Sequence, residues 1–158
     1  VTPQWLAQHI NYEDLVVVDV RIQPIGLTPK KAMRDAFASG HIPSAVYFDP
    51  NDVADKNNDL SHMLPTAEEF SKAVGKLGIN EQHRMVFYDD GDSFSALRSW
   101  WILRHFGAQH VYVLDGGLSG WQALCQPLES GSAQPKHKPL THASTPMRWR
   151  ICKRWSRR

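Results

Sequence analysis

The stretch RMVFYDDGDSFSALRSWWILRHFG, residues 84–107, decides the fold. It opens with a strand-length run in which Met85, Val86, Phe87 and Tyr88 are apolar or aromatic. A polar loop, DDGDSFS at 89–95, leads from there into a strongly apolar segment at 95–106 that Gly107 closes. That segment is too long for an ordinary strand and carries no internal turn signal, so the stretch predicts a strand, a short loop and a helix in succession. Working outward, the alternation repeats. LVVVDV at 15–20 is a continuous β-branched run, which suits a parallel strand buried on both faces better than an alternating edge strand. Shorter strands are expected at 46–48 and 111–114. Thr2 before Pro3 is a cap plus a first-turn proline, and Trp5, Leu6 and Ile10 fall near one face of a short opening helix. Thr66 and Glu69 have capping-box spacing ahead of Phe70, Val74 and Leu77, with Gly78 as the stop. Strand and helix alternate throughout, which predicts an α/β fold with a largely parallel central sheet and ligand sites beyond the carboxyl ends of its strands.

The 158 residues, 42% hydrophobic and 22% charged, have the composition of one ordinary globular domain and exclude collagen, a coiled coil and wholesale disorder. A chain of this size buries roughly 70% of its unfolded surface, so its core needs no disulfide or metal staple. The longest apolar runs fall far short of the roughly 20 residues that cross a bilayer. Cys125 and Cys152 are the only cysteines, too few for a disulfide framework and without metal-ligand spacing, which makes a reducing cytoplasm the expected compartment. Because the chain begins at Val1, the absence of a targeting segment carries no weight.

Charge divides the chain. Residues 1–125 hold 10 Lys+Arg and 15 Asp+Glu, net −5, whereas residues 126–158 hold 8 and 1, net +7. The second part is rich in Pro, Ser and Lys/Arg, lacks apolar periodicity and ends in MRWRICKRWSRR. The expected organisation is a domain over 1–127 followed by a basic linker or tail over 128–158, either natural or the scar of a truncation or frameshift.

By the strand-end rule, the loop at 89–95 is the place for chemistry. A loop bent over a helix start aims several backbone N–H groups at one point, and the helix dipole adds partial positive charge there, making a cradle for a thiolate or oxyanion. This loop carries Asp89, Asp90 and Asp92, and the bland reading is a loop capped by its own Asp90 or Asp92.

Several of these residues also match a family pattern. GHIPSA at 40–45 resembles the GHIPGA signature of rhodanese domains, and LDGG at 114–117 with Trp121 resembles their closing signature. Between them, HMLP at 62–65 and Tyr88-Asp89 followed by FSALRSWW at 94–101 stand in an order similar to the amino-terminal rhodanese domain of 3-mercaptopyruvate and thiosulfate sulfurtransferases. The resemblance covers residues 2–127. It implies a three-layer rhodanese-like fold and a second rhodanese domain in tandem, whose cradle loop carries the cysteine that accepts sulfane sulfur. That sulfur comes from 3-mercaptopyruvate or thiosulfate and passes to a thiophilic acceptor such as cyanide. Cysteine suits the role because a low-pKa thiolate can attack the donor and be held as a persulfide. Counting back from Gly107, the matching position here is Asp90, a carboxylate that cannot form a persulfide, so this chain by itself is expected to be inactive.

The resemblance also assigns roles to other residues. Asp19-Val20-Arg21 matches the DxR strand end, where Arg21 makes an ion pair or a carbonyl contact, or is simply solvated. His41, in the turn signature, is read as a histidine that pins backbone carbonyls rather than a catalyst. Arg98 either pairs with Asp89 or Asp90 or makes a surface or interdomain contact, and Trp100 and Trp101 are core and interface packing. His62 is implied to face the active site across the domain boundary. The acidic residue expected to orient it is replaced by Asn51, which leaves a His–acid relay dependent on Asp52. Cys125 reads as a small buried or linker thiol. Cys152, flanked by Arg150, Lys153 and Arg154, would be reactive without constituting a site.

Three functions compete. The first is the non-catalytic amino-terminal half of a sulfurtransferase. The second is a stand-alone rhodanese module that binds a protein partner, or an RNA through its basic tail, the nucleic acid being the weaker reading. The third is a magnesium-dependent phosphatase, because Asp90-Gly91-Asp92-Ser93 superficially fits DxDx[TS], although that motif normally follows a first strand. No metal or nucleotide motif is present, and no cofactor is expected.

Overall fold

The side chains of β1 (Leu15–Asp19) point alternately to two different cores, and this organises the molecule. The computed structural model describes residues 1–22, 31–55, 63–91 and 94–133. Val16 and Val18 join one apolar cluster, while Leu15 and Val17 join another. The strand is buried at every position, as a continuous β-branched run requires. The other strands split in the same way. In β2 (Val46–Tyr47) Val46 goes to the first cluster and Tyr47 to the second; in β3 (Arg84–Tyr88) Met85 and Phe87 are opposed by Val86 and Tyr88; in β4 (Val111–Val113) Val111 is opposed by Tyr112. All pairings are parallel, in the order β2-β1-β3-β4, with Val17 opposite Val86 and Val86 opposite Tyr112.

Helices cover both faces. α3 (Ala67–Gly75) and α4 (Phe94–His105) bring Phe70, Val74, Ile102 and Leu103 to the first cluster. α1 (Pro3–His9), α2 (Lys31–Ser39) and α5 (Gly117–Ala123) bring Leu6, Phe37, Leu118 and Trp121 to the second. The result is the three-layer α/β fold with a parallel sheet that the alternation predicts. α1 starts where Thr2 caps it, the Trp5 N–H donating to Thr2 Oγ1 at 3.2 Å. α3 has the expected capping box: Glu69 N–H donates to Thr66 Oγ1 at 3.3 Å and Thr66 N–H to Glu69 Oε2 at 3.0 Å. α2 has no counterpart in the sequence reading, because its residues are polar on average; among those whose burial is described, Phe37 is the deeply buried one. Among the described residues no helix is long and apolar enough to cross a membrane.

Two devices fix the carboxyl end of the sheet. The first is a buried polar knot. Asp19, wholly inaccessible, receives Arg21 Nε at 3.0 Å and Nη2 at 2.8 Å on Oδ2, and the Tyr88 hydroxyl donates to the same oxygen at 2.7 Å. Tyr88 Oη in turn accepts the Ile42 N–H at 3.2 Å, and Arg21 Nη2 also donates to the Gly40 carbonyl at 2.9 Å. β1, β3 and the turn at 40–45 are thereby tied at one point. The second device is the close approach of the α5 start to the loop after β3. Gly117, at φ +53°, lies so near Asp89 and Gly91 that a Cβ there would run into the Asp89 carbonyl.

The chain stays on the domain after α5. Glu129 exchanges backbone hydrogen bonds with His41, both at 2.9 Å, and Gly131 N–H donates to the Ala38 carbonyl at 2.7 Å. The beginning of the expected 128–158 segment therefore lies along the turn signature and α2. Residues 134–158 lie outside the described residues.

Replacing Tyr88 by Phe leaves the buried Ile42 N–H and an Asp19 oxygen each short of a partner, and should cost about 1–3 kcal/mol in urea unfolding. Burial, foremost, and the neighbouring Asp19 charge raise the Tyr88 pKa well above its ordinary value, and burial with Asp49 pushes Tyr47 up to about 12. Both phenols therefore keep a proton in the folded state that the unfolded chain releases near pH 10. Their contribution is complete below about pH 10 and is lost as pH rises above it. Y88F should consequently shrink the alkaline loss of stability, with Tyr47 sustaining the remainder. Gly117→Ala forces both a left-handed backbone and a backbone collision, and should destabilise by about 2 kcal/mol or more in the same measurement.

Candidate functional site

The connection leaving β1 leads to β2 on one side, while β3, on the other side of β1, leads outward to β4. In open α/β sheets the crevice at such a switch point, beyond the carboxyl ends, is where ligands sit. Here it is bounded by Asp19 and Arg21 after β1 and by the loop from Asp89 into α4.

Asp89 shapes that loop. It is buried, its Oδ1 accepts the Gly91 N–H at 2.9 Å and its Oδ2 the Ala96 N–H at 3.1 Å, while its carbonyl accepts the Leu118 N–H at 2.7 Å. One carboxylate thus closes a turn two residues on and caps the first turn of α4, as Asp does at helix starts. Asp89 thus supplies a cap that the sequence reading, which named Asp90 or Asp92, does not single out. Asp89 does so because it is the residue that the buried strand delivers directly beneath the helix start, and Asp92 lies outside the described residues. Asp90 is the outward residue. Its side chain is 62% exposed, its Oδ1 stands 3.8 Å from Arg21 Nη1, and its carbonyl accepts the Ser119 hydroxyl at 2.8 Å.

Arg21 therefore links the interior to the cradle. Its side chain is only 7% exposed and makes both contacts weighed from sequence, the ion pair to Asp19 and the bond to the Gly40 carbonyl. Burial opposes the guanidinium charge, but Asp19 more than offsets it, so the pKa of Arg21 lies above its ordinary value and the group is a permanent cation. Its Nη1 faces Asp90. The guanidinium and the start of α4 both favour a negative charge there, and among the described residues the Asp90 carboxylate supplies it.

The remaining sequence candidates are placed as follows. His41 is buried, donates from Nδ1 to the Phe37 carbonyl at 2.8 Å and stacks on Phe37 at 4.0 Å, so it pins the backbone as read. Arg98 is half-buried; burial lowers its pKa, and Asp49, rather than Asp89 or Asp90, is the carboxylate whose charge acts on it. Trp100 packs against the core with its indole N–H on the Val111 carbonyl at 3.0 Å, and Trp101 is 40% exposed. The Asn51 N–H donates to Asp49 Oδ1 at 2.8 Å, and Asp52 pairs with Arg34 at 3.1 Å on the exposed surface. His62 and Cys152 lie outside the described residues. Cys125 is exposed, at φ +53° in the turn that ends α5, the linker position and not a buried one. Among the described residues no group of three His, Cys, Asp or Glu could hold a metal ion.

Sequence reasoning missed the tyrosine hydroxyl of Tyr88 as part of this site. Its signal was a phenol at the end of an otherwise apolar buried strand, where the oxygen must find a partner; the partner it finds, Asp19, lies 69 residues away.

A family model described as Rhodanese-like domain matches residues 2–124. The chain is 40% identical over 134 residues to 3-mercaptopyruvate sulfurtransferase of Escherichia coli (strain K12), covering 85% of this chain and 47% of that protein. It is 43% identical over 110 residues to 3-mercaptopyruvate sulfurtransferase of Homo sapiens, covering 66% of this chain and 37% of that one. Among solved structures it is similar to the crystal structure of SseA from Escherichia coli, with a TM-score of 0.80 at 37% identity over 90% of this chain and 55% of that chain. The chain spans about half the length, or less, of the relatives it matches. With the turn signature on β1 and β3, the double glycine against the cradle and this agreement over most of its length, the chain belongs to the rhodanese-like family.

Proposed function

We propose that this chain is the non-catalytic, amino-terminal type of rhodanese domain of a sulfurtransferase. In the complete protein it supports a second rhodanese domain, which moves sulfane sulfur from 3-mercaptopyruvate or thiosulfate to a thiophilic acceptor. The observation that carries this reading is the occupant of the cradle. At the position the family resemblance gives to the sulfur-carrying cysteine stands Asp90, with its carboxylate 3.8 Å from the Arg21 guanidinium. A thiolate attacks a donor and a persulfide later releases its outer sulfur, but a carboxylate oxygen forms no such bond. The charge that the cradle is built to hold is then supplied by the protein's own side chain. The two cysteines of the chain do not replace it. Cys125 is in the turn after α5, and Cys152 lies in the basic segment beyond the family match.

The names of the relatives support the sulfur chemistry, and their length supports a second domain. The E. coli relative carries about as much chain again as the part matched here. His62 remains a cleft residue of the complete protein under this reading, with Asn51 in place of an acidic orienting group. A cytoplasmic location follows from the cysteine usage.

The test is sulfur transfer by the purified chain from 3-mercaptopyruvate and from thiosulfate to cyanide, with intact mass recorded after each donor. Background rates and no added sulfur atom are expected, unchanged in Cys125→Ser and Cys152→Ser. Turnover that vanishes with either substitution would contradict the proposal and move the sulfur carrier out of the cradle.

A further inference from the structure

Past the end of α5 the chain runs over the turn at 40–45 as a strap, exposed at every residue from Pro127 to Ser132. Little apolar surface holds it down: the Leu128 side chain lies over Gly40, where a Cβ would meet its Cδ1 at 3.3 Å. Hydrogen bonds do the rest. The Trp121 indole N–H donates to the Pro127 carbonyl at 2.9 Å, Glu129 and His41 exchange backbone bonds, and the Gly131 N–H reaches the Ala38 carbonyl. A segment with few buried apolar contacts and solvent-exposed hydrogen bonds belongs to the part of a fold that opens locally.

One contact of the strap differs in kind. Glu129 Oε2 accepts the Ser44 N–H at 2.8 Å and stands 3.9 Å from His41 Nε2. Ser44 is at φ +60°, a left-handed conformation that a serine adopts at a cost, so the carboxylate grips the turn where its backbone is strained. The same turn supplies the outer partners of the buried knot. The Gly40 carbonyl accepts from Arg21 Nη2 and the Ile42 N–H donates to Tyr88 Oη, while the backbone of His41, between them, is bound to the strap. Strap and knot therefore hold successive residues of one short turn.

We infer that Glu129 is the latch of this strap: its carboxylate holds residues 127–131 against the turn, and its release lifts the strap and loosens the Gly40 and Ile42 contacts that steady Arg21. Glu129 is thus a positioning residue for the Arg21 cation, acting through the turn. The inference concerns the fold of this chain and requires no sulfur transfer, so it stands or falls independently of the function proposed above.

The experiment is amide hydrogen exchange of the full chain followed by NMR, with the Arg21 Nε–H resonance recorded alongside. In the wild type the His41, Glu129 and Gly131 amides should exchange through one shared opening, faster than the Val18 and Val86 amides of the central strands. Loss of a hydrogen bond to a charged acceptor in Glu129→Ala should speed exchange at His41, residue 129 and Gly131 about tenfold. Ile42 should exchange faster too and the Arg21 Nε–H resonance should move, while Val18 and Val86 exchange as in the wild type. Glu129→Gln, which keeps an acceptor oxygen without the charge, should have a smaller effect. Unchanged exchange along the strap in Glu129→Ala would overturn the latch. A lifted strap with Ile42 and Arg21 unaltered would overturn its coupling to the knot, and equal acceleration at Val18 and Val86 would reveal a global loss of stability in its place. Strap amides that exchange as slowly as Val18 in the wild type would contradict the inference even where Glu129→Ala fails to fold.

Discussion

The rest of the site depends on the contact between Asp19 and Arg21, the buried ion pair at the end of β1. A carboxylate removed from water is costly unless its oxygens are hydrogen-bonded, and here both are: Arg21 reaches the two of them and Tyr88 adds a third donor. The partners come from three parts of the chain. Arg21 follows β1 directly, Tyr88 ends β3, and Gly40 and Ile42, which complete the set, belong to the turn before β2. The knot therefore ties the ends of the two central strands together, and holds the Arg21 cation that looks out toward the cradle. Such a network is stable only when fully satisfied, which ties the integrity of the site to the integrity of the fold.

On that base the cradle is assembled from parts that each solve a local problem. Asp89 closes the turn at Gly91 and caps the first turn of α4. Gly116, the cap of α5, and Gly117, its first residue, allow the next turn to press against the cradle loop, at φ +66° and φ +53°. His41 and Glu129 clasp the segment after α5 onto the turn before β2. Under the proposed function, what sets this chain apart is the residue at the focus of that loop: a carboxylate at Asp90, which gives Arg21 a negative partner in place of a nucleophile.

Much of this was legible in the sequence, and for identifiable reasons. The sheet was readable because its central strand is buried on both faces and so is written as uninterrupted LVVVD, and α3 because a capping box is a purely local signal. The role of His41 followed from its place in a turn signature. The failures are equally physical. α2 is as amphipathic as α3 but more polar on average, so its few apolar residues do not stand out in the sequence. Asp89 is not singled out as a capping carboxylate beside Asp90 and Asp92, since three aspartates in one loop differ only in which the strand delivers beneath the helix. Tyr88 meeting Asp19, and Asp49 acting on Arg98, are long-range pairings that only the folded chain brings together.

Under the proposed function the cradle is sound and only its occupant is inert. Asp90→Cys tests it most directly: the variant, treated with thiosulfate, should gain one sulfur atom by intact mass. Its thiolate would attack the sulfane sulfur, form a new S–S bond and expel sulfite as the old one breaks. Arg21 and the start of α4 would stabilise the anion at each stage. A folded Asp90→Cys chain that stays unmodified, with a thiol no more acidic than an ordinary cysteine of pKa about 8.5, would contradict the account.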